Sequence, residues 1–122
     1  MKTPHILIVD DEPNIVMSLE FLMRKNGYQV GIARNGTEAL AAIASTPYDL
    51  VLLDIMMPDV DGLEVCRQLR QRPDCAATKV IFLSAKSREA DIAKGYVAGA
   101  DLYVPKPFST RQLMEQVRGL LA

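Results

Sequence analysis

The chain has 122 residues, of which 49% are hydrophobic and 24% charged, a composition that fits one globular domain and excludes a disordered chain. Its formal net charge is -1 and it has no basic block, which argues against nucleic-acid binding by this domain. No apolar run approaches membrane-spanning length, and the N-terminal apolar run meets acids where a secretory leader has small residues. We therefore expect one cytoplasmic domain over residues 1–122 that contacts no membrane.

Hydrophobic periodicity divides the chain into five strand–helix pairs. Uniformly apolar runs indicate strands buried on both faces, whereas an alternating or very short run indicates an edge strand. The predicted strands are Ile6–Val9, Tyr28–Ala33, Leu50–Leu53, Val80–Leu83 and Leu102–Val104. The predicted helices run from Pro13 to Asn26-Gly27, from a cap at Asn35 over Ala39–Ala44, over Leu63–Arg70, from a cap at Ser87 to about Val97, and from a capping box at Ser109 and Gln112 close to the C-terminus.

This alternation predicts an α/β fold in which helices cover both faces of a parallel sheet. The first, third and fourth strands are uniformly apolar, as central strands are, whereas the second alternates and the fifth is short. The simplest arrangement is the (βα)5 flavodoxin-like doubly wound sheet with strand order 2-1-3-4-5.

Polar side chains follow four of the five predicted strands. Asp10 and Asp11 follow the first strand, Asp54 the third, Ser84 the fourth and Lys106 the fifth. Because the carboxyl ends of parallel strands meet at one edge of the sheet, all five groups are expected to converge at the point where the winding reverses.

Three clustered carboxylates repel one another, and a hard cation such as Mg²⁺ removes that repulsion. The sequence therefore predicts a magnesium pocket that also attracts a phosphoryl group. Taken singly, these residues are better explained by structure alone: Asp11 as a cap of the first helix, Lys106 as a surface lysine and Ser84 as a turn residue. Their joint placement at one edge favours a functional site.

Neither cysteine has the spacing of a metal ligand, and the chain has a single histidine, His5. Cys66 is interpreted as a packing residue and Cys75 as a thiol in a loop.

Four segments occur together in an order typical of one family: VDDEP (Val9–Pro13), LLDIMMPDVDG (Leu52–Gly62), FLSAK (Phe82–Lys86) and GADLYVPKPF (Gly99–Phe108). With these segments the chain resembles the receiver domain of bacterial two-component response regulators over essentially its whole length.

The resemblance implies that Asp54 is the phosphoacceptor, which takes a phosphoryl group from the phosphohistidine of a sensor histidine kinase or a histidine phosphotransfer protein. It implies that Asp11 and Asp54 ligate Mg²⁺ directly, that Asp10 acts through a bound water and that the backbone carbonyl of Met56 supplies a further ligand. The domain then catalyses its own phosphorylation and dephosphorylation, and is not a turnover enzyme on an external substrate.

The resemblance also implies a switch. Lys106 pairs with Asp54 before transfer and with the phosphoryl oxygens afterwards, and the bond from Lys106 to Pro107 is cis. The Ser84 hydroxyl bonds the phosphoryl group, and the ring of Tyr103 moves inward with it. Without the resemblance, the sequence predicts only that Tyr103 is a half-buried tyrosine of an edge strand.

Two further positions, Met56 and Lys86, tune the hydrolysis of the acyl phosphate in the family, and we hypothesise that Met56 shields the phosphoryl group from water. The resemblance further implies that phosphorylation is read out at the face of the fourth helix, fifth strand and fifth helix, by a downstream target, a fused output domain or a second copy in a dimer. That face comprises Ser87–Val97, Leu102–Val104 and Ser109–Leu121. The first helix has surplus apolar residues, and Met17 and Phe21 either dock a helical kinase partner or pack against the last helix.

Three other readings fit parts of the pattern. A flavodoxin-type cofactor binder shares the fold, but DDEP in place of a phosphate loop opposes it. A haloacid-dehalogenase-type phosphatase also uses an aspartate nucleophile, but it places Asp-x-Asp after the first strand. The third is a degenerate receiver that serves only as a docking module. The domain acts either as a stand-alone regulator or as the receiver of a larger one.

Overall fold

Five parallel strands form one sheet in the order β2-β1-β3-β4-β5 in the computed structural model of the protein, which describes residues 3–122. The predicted α/β architecture and strand order are therefore confirmed. Residues 1 and 2, with which the predicted domain begins, lie outside the described residues. The strands are β1 (His5–Val9), β2 (Gln29–Ala33), β3 (Leu50–Leu53), β4 (Lys79–Ser84) and β5 (Leu102–Pro105).

An α-helix follows each strand within residues 3–122, and a short 3₁₀ helix at Pro73–Cys75 precedes β4. The helices are α1 (Pro13–Lys25), α2 (Gly36–Ser45), α3 (Gly62–Gln71), α4 (Glu89–Ala98) and α5 (Thr110–Leu121). In this part of the chain, none of the helices has both the length and the apolar character needed to cross a membrane.

The sheet separates two apolar layers, and β1 contributes to both. Leu7 and Val9 pack with α2, α3 and α4 on one face, whereas Ile6 and Ile8 pack with α1 and α5 on the other. All four side chains are at most 1% exposed, which explains why β1 is uniformly apolar. The two layers hold the strands rigidly, so the residues that follow the strands have fixed positions.

The register of the sheet places the ends of the strands together. Val9 is opposite Leu53, which in turn is opposite Phe82, and Ser84 is opposite Pro105. The ladder extends one residue further, because the Asp54 N–H donates to the Val9 carbonyl (3.0 Å). Asp10, Asp54, Ser84 and Lys106 are consequently neighbours at the carboxyl edge of the sheet, as predicted from the strand order.

The start of α4 differs from the prediction. Arg88 and not Ser87 is the N-cap residue, and its side chain makes no capping hydrogen bond. Its carbonyl accepts instead from the N–H groups of Asp91 and Ile92. The acids Glu89 and Asp91 in the first turn supply the favourable interaction with the helix dipole that a capping serine otherwise provides.

Cys75 also differs from the prediction, because it is not a loop thiol. Pro73 begins the 3₁₀ turn, and the Cys75 N–H donates to the Arg72 carbonyl (3.1 Å). This turn directs the thiol into the core, where Cys75 is 7% exposed. Cys66 is fully buried, as expected of a packing residue.

Candidate functional site: an acidic pocket at the carboxyl edge of the sheet

Three carboxylates converge where β1 and β3 end. One oxygen from each of Asp10, Asp11 and Asp54 lies within 4.8 Å of the others. Asp10 and Asp54 are buried, with 2% and 6% of their surface exposed, whereas Asp11 is exposed. The pocket therefore has a buried floor and an open acidic rim, and its oxygens are the donors that hard divalent cations prefer.

Asp54 is held by its own loop. Its Oδ1 accepts from the Ile55 N–H at 2.8 Å, and Oδ2 faces Lys106 at 3.8 Å. The loop returns to α3 at Gly62, whose N–H donates to the Ile55 carbonyl (2.9 Å). A Cβ at position 62 would lie 2.1 Å from the Asp54 carbonyl oxygen, so only glycine allows this close return.

Lys106 joins the cluster from β5. Its Nζ donates to Asp10 Oδ2 at 2.8 Å and lies 3.8 Å from Asp54 Oδ2 and 4.0 Å from Glu12 Oε1. The ammonium is thus hydrogen-bonded to Asp10, whereas the resemblance implies pairing with Asp54. The Lys106 N–H also donates to the Ser84 carbonyl (2.8 Å), and the peptide bond from Lys106 to Pro107 is cis.

The electrostatics of the pocket are unbalanced towards negative charge. Burial raises the pKa of Asp54 from 3.8 to about 6; Lys106 opposes this shift, and the charges of Asp10 and Asp11 add to it. Burial alone would lower the pKa of Lys106, but its hydrogen bond to Asp10 and the charges of Asp54 and Glu12 raise it. One ammonium faces three clustered carboxylates, so a divalent cation would remove the remaining repulsion.

Ser84 and Tyr103 are joined through the backbone of residue 86. The fully buried Ser84 accepts at Oγ from the Lys86 N–H (3.1 Å), and the Tyr103 hydroxyl donates to the Lys86 carbonyl (2.5 Å). Tyr103 is 7% exposed, and its ring centroid lies 5.9 Å from that of Phe82. Burial raises the pKa of Tyr103; the Ser84 side chain opposes this shift, and the charges of Asp91 and Asp54 add to it. Its ring is therefore directed into the protein and is not the half-buried edge side chain of the alternative reading.

Met56 and Lys86 lie at the rim of the pocket. Met56 is 60% exposed, and both side chains line an open depression of about 350 Å³ that also includes Asp11 and Asp61. These two side chains are consequently placed beside the Asp11 carboxylate at the edge of the acidic pocket.

Glu12 has no role predicted from the sequence, although its carboxylate lies 4.0 Å from Lys106 Nζ. The only indication in the sequence is that it is the third acid in a row. The Glu12 N–H donates to Asp10 Oδ1 (2.9 Å), and Glu12 is the N-cap residue of α1. The interpretation of Asp11 as the cap of α1 is therefore wrong, because Asp10 is the acid that bonds the backbone there.

Asp59 is a second residue without a predicted role. It has a positive φ of 65°, which is uncommon for a residue other than glycine. Its carboxylate accepts from the Gly36 N–H (3.1 Å) and the Thr37 hydroxyl (2.6 Å). These bonds tie the loop that carries Met56 to the start of α2. The sequence shows only a turn here, because the partners are 22 and 23 residues away.

The outer face of α1 is apolar and exposed. Met17 and Phe21 are 67% and 69% exposed, so the expectation that they pack against the last helix is wrong. A groove of about 490 Å³ also lies along α1, between this helix and the segment before α5, and its lining includes Lys106. Its apolar lining includes Ile15, Leu22 and Phe108.

The chain matches known proteins over nearly its whole length. The family model for the response regulator receiver domain matches residues 6–118. Transcriptional regulatory protein ResD of Bacillus subtilis is 46% identical over 116 residues, which cover 95% of this chain and 47% of that protein. Response regulator MprA of Mycolicibacterium vanbaalenii is also 46% identical over 116 residues, 95% of this chain and 49% of that protein. The chain therefore spans about half the length of the curated relatives it matches.

A solved structure agrees with these matches. The response regulator receiver domain protein (CheY-like) from Methanospirillum hungatei superposes with a TM-score of 0.92 and is 32% identical. The superposition covers 98% of this chain and 94% of that one. These matches favour a receiver domain over the cofactor binder and the phosphatase of the alternative readings.

Proposed function

The chain belongs to the family of response regulator receiver domains, and we propose from this that its own site is a working phosphorylation switch with Asp54 as the phosphoacceptor. One observation carries the proposal: Asp10, Asp11 and Asp54 converge at one edge of the sheet, with the Lys106 ammonium beside them. The proposal extends to the whole domain, from residue 1 to residue 122, placed in the cytoplasm.

Mg²⁺ is the proposed cofactor. Asp11 and Asp54 would hold it directly, Asp10 through a water, and the backbone carbonyl of Met56 would be a further ligand. The donor set supports this, because three carboxylate oxygens within 4.8 Å of one another are hard ligands with unbalanced charge. When bound, the cation neutralises charge on the carboxylates and on the phosphoryl oxygens.

Asp54 Oδ2 is the proposed nucleophile. Its other oxygen is occupied by the Ile55 N–H at 2.8 Å, whereas Oδ2 faces Lys106. In the proposed step, Oδ2 forms a bond to phosphorus while the bond from phosphorus to the donor histidine nitrogen breaks. The product is an acyl phosphate on Asp54, and the electron pair leaves with the imidazole. Lys106 then binds the phosphoryl oxygens, because it already lies within 4 Å of both buried carboxylates.

The proposed switch connects the phosphoryl group to the output surface through residue 86. The Ser84 hydroxyl would donate to a phosphoryl oxygen while its Oγ keeps the Lys86 N–H. The Lys86 carbonyl in turn fixes the Tyr103 hydroxyl on β5. Phosphorylation would therefore favour one of two arrangements of the loop before α4 and of Tyr103, as in a population shift.

Two surfaces are proposed for partners. The exposed face of α1 and the groove along this helix would receive a sensor histidine kinase or a histidine phosphotransfer protein, because the face is apolar and Lys106 lines the same groove as apolar residues of α1. The face of α4, β5 and α5 would be read by a downstream target, a fused output domain or a second copy. This arrangement fits a stand-alone regulator and also the receiver domain of a larger regulator. In either case the proposed domain is not a turnover enzyme on an external substrate.

The experiment that tests this proposal is phosphorylation by acetyl phosphate, with and without Mg²⁺, followed by intact mass. We expect a Mg²⁺-dependent adduct of one phosphoryl group on the parent and none on Asp54→Ala. Asp74→Ala is a matched control, because Asp74 is an exposed acid before β4, at the opposite edge of the sheet. If the parent gained no adduct from acetyl phosphate or from any histidine kinase tested, the docking-module reading would replace the proposal.

A further inference from the structure

We propose that Gly95 is a positioning residue of the switch, because its missing side chain leaves the slot that the Tyr103 ring occupies. A Cβ at position 95 would lie 2.7 Å from Tyr103 Cδ2 and 3.0 Å from Cε2. It would also lie 3.2 Å from Phe82 Cδ2. Real Cβ atoms do not approach ring carbons at 2.7 Å, so any larger residue at 95 displaces the ring or the helix.

The backbone gives no other reason for glycine at this position. Gly95 lies inside α4 and is buried, and it is not among the glycines with a positive φ, which are Gly27 and Gly99 in the described chain. Alanine is more favourable than glycine inside a helix. The contact with Tyr103 therefore explains a residue that otherwise weakens α4.

The ring has little freedom to yield because it is held from several sides. Phe82 packs against it with a centroid separation of 5.9 Å. The Tyr103 N–H donates to the hydroxyl of Tyr96, one residue after Gly95, at 3.2 Å, and the Tyr103 hydroxyl donates to the Lys86 carbonyl. Gly95 thus faces a ring that is held at its backbone N–H, at its hydroxyl and by the neighbouring ring of Phe82.

This inference rests on the proposed function, in which the inward Tyr103 is the arrangement favoured by phosphorylation. A methyl group at position 95 penalises the inward ring and leaves the outward ring unaffected. Gly95→Ala therefore shifts the population towards the outward state without touching Asp54, Lys106 or Ser84. Phosphorylation of Asp54 continues in the variant, but it no longer brings Tyr103 inward.

The test compares Gly95→Ala with the parent and with Gly119→Ala by NMR. Gly119 is a matched control, because it also lies inside a helix, and a Cβ there would meet nothing within 4 Å. We expect cross-relaxation between the Tyr103 and Phe82 rings in the parent and in Gly119→Ala, and its loss in Gly95→Ala. Unchanged contacts between the two rings in Gly95→Ala would overturn the inference.

A double-variant cycle keeps the test decisive if Gly95→Ala folds poorly. Removing the ring with Tyr103→Ala vacates the slot, so the added methyl group then meets only Phe82. We expect Gly95→Ala to lower the thermal midpoint by several degrees in the parent background, and to leave it unchanged or raise it in the Tyr103→Ala background. Equal effects in the two backgrounds would show that the ring is not what position 95 accommodates.

The intact-mass measurement separates this inference from the proposed function. An adduct on both the parent and Gly95→Ala, with inward Tyr103 only in the parent, supports both. A parent that never gains the adduct contradicts the proposed function, while the ring contacts still decide the role of Gly95. Loss of the adduct in Gly95→Ala alone would overturn the inference, because the variant is expected to leave the chemistry of Asp54 intact.

Discussion

Lys106 Nζ lies 2.8 Å from Asp10 Oδ2 but 3.8 Å from Asp54 Oδ2, so its hydrogen bond goes to the acid that is not the proposed phosphoacceptor. Asp10 is only 2% exposed, and this bond compensates its buried charge. Oδ2 of Asp54 faces the ammonium only at 3.8 Å and remains available for attack. The ammonium therefore needs to move only about an ångström to reach an oxygen on Asp54.

Replacing Lys106 by methionine is expected to affect stability as well as phosphorylation. Asp10 and Asp54 lose their shared cation, and removing one partner of a buried ion pair costs on the order of 3 kcal/mol. Urea unfolding without divalent cations measures this loss. Mg²⁺ should restore part of it, because a bound cation also neutralises the two carboxylates.

Lys86→Met is the matched control for that variant, because Lys86 lies nearby but its side chain is exposed. Its stability should stay within about 0.5 kcal/mol of the parent, as is usual for surface substitutions. A Lys106→Met protein as stable as the parent in the absence of Mg²⁺ would contradict the expected role of the ion pair.

Stability should fall with rising pH because of Asp54. Burial raises the pKa of Asp54 from 3.8 to about 6. At pH values between these two, Asp54 keeps a proton in the folded protein that it has released in the unfolded chain. The contribution of this group is fully present below about pH 4 and is lost as the pH rises through about 6. Asp54→Asn cannot ionise, so without divalent cations we expect it to be more stable than the parent by about 2–3 kcal/mol at about pH 8.

Unfolding curves of the parent and Asp54→Asn at several pH values check this prediction. The two proteins should approach equal stability towards about pH 4, where Asp54 of the parent is protonated in the fold. A difference that did not change with pH would mean that the substitution acts through packing and not through the charge of Asp54.

Met56→Asn is expected to shorten the life of the acyl phosphate. Met56 lies at the rim beside Asp11 and is 60% exposed, so its apolar side chain occupies solvent-accessible space next to the pocket. An amide there can instead hydrogen-bond a water close to the phosphoryl group. The decay of the mass adduct after removal of acetyl phosphate measures the effect, with Met17→Asn, an equally exposed methionine on α1, as the control. A slower decay in Met56→Asn would refute the shielding hypothesis.

Substituting Met17 and Phe21 by serine should slow phosphotransfer from a histidine kinase that phosphorylates the parent. Both side chains are largely exposed, so stability should change by no more than about 0.5 kcal/mol. Phosphorylation by acetyl phosphate, which needs no docking surface, should be unchanged.

Leu19→Ser on the buried side of the same helix is the contrasting control. Leu19 is 2% exposed, and its loss should destabilise the domain by about 2 kcal/mol or more. Equal transfer rates for the parent and the Met17/Phe21 variant would exclude this face of α1 as the kinase surface.

The strand order and the convergence of the site could be predicted because they depend on patterns local in sequence. Ile6–Val9 and Leu50–Leu53 are apolar on both faces, which identifies central strands, and each is followed by its acid. The bond between Lys106 and Asp10 joins residues 96 positions apart and depends on side-chain geometry, so no sequence pattern reports it.

The incorrect expectations have a similar cause. Ser87 is a good capping residue, yet the helix starts at Glu89, because the backbone of the loop before it is fixed by contacts to Ser84 and Tyr103. Cys75 lies in a polar segment, and only the 3₁₀ turn brings it inward. In both places tertiary contacts override a local preference.

Asp59 has a consequence for protein engineering. Its carboxylate holds Gly36 and Thr37, and a Cβ at position 36 would lie 2.0 Å from the Val60 carbonyl oxygen. The segment between Asp54 and Gly62 is therefore not a self-contained module. A chimaera that transplants this segment into another receiver needs a glycine and a hydroxyl-bearing residue at the matching start of its second helix. Without them, the grafted loop would lose the anchor that sets where Met56 stands.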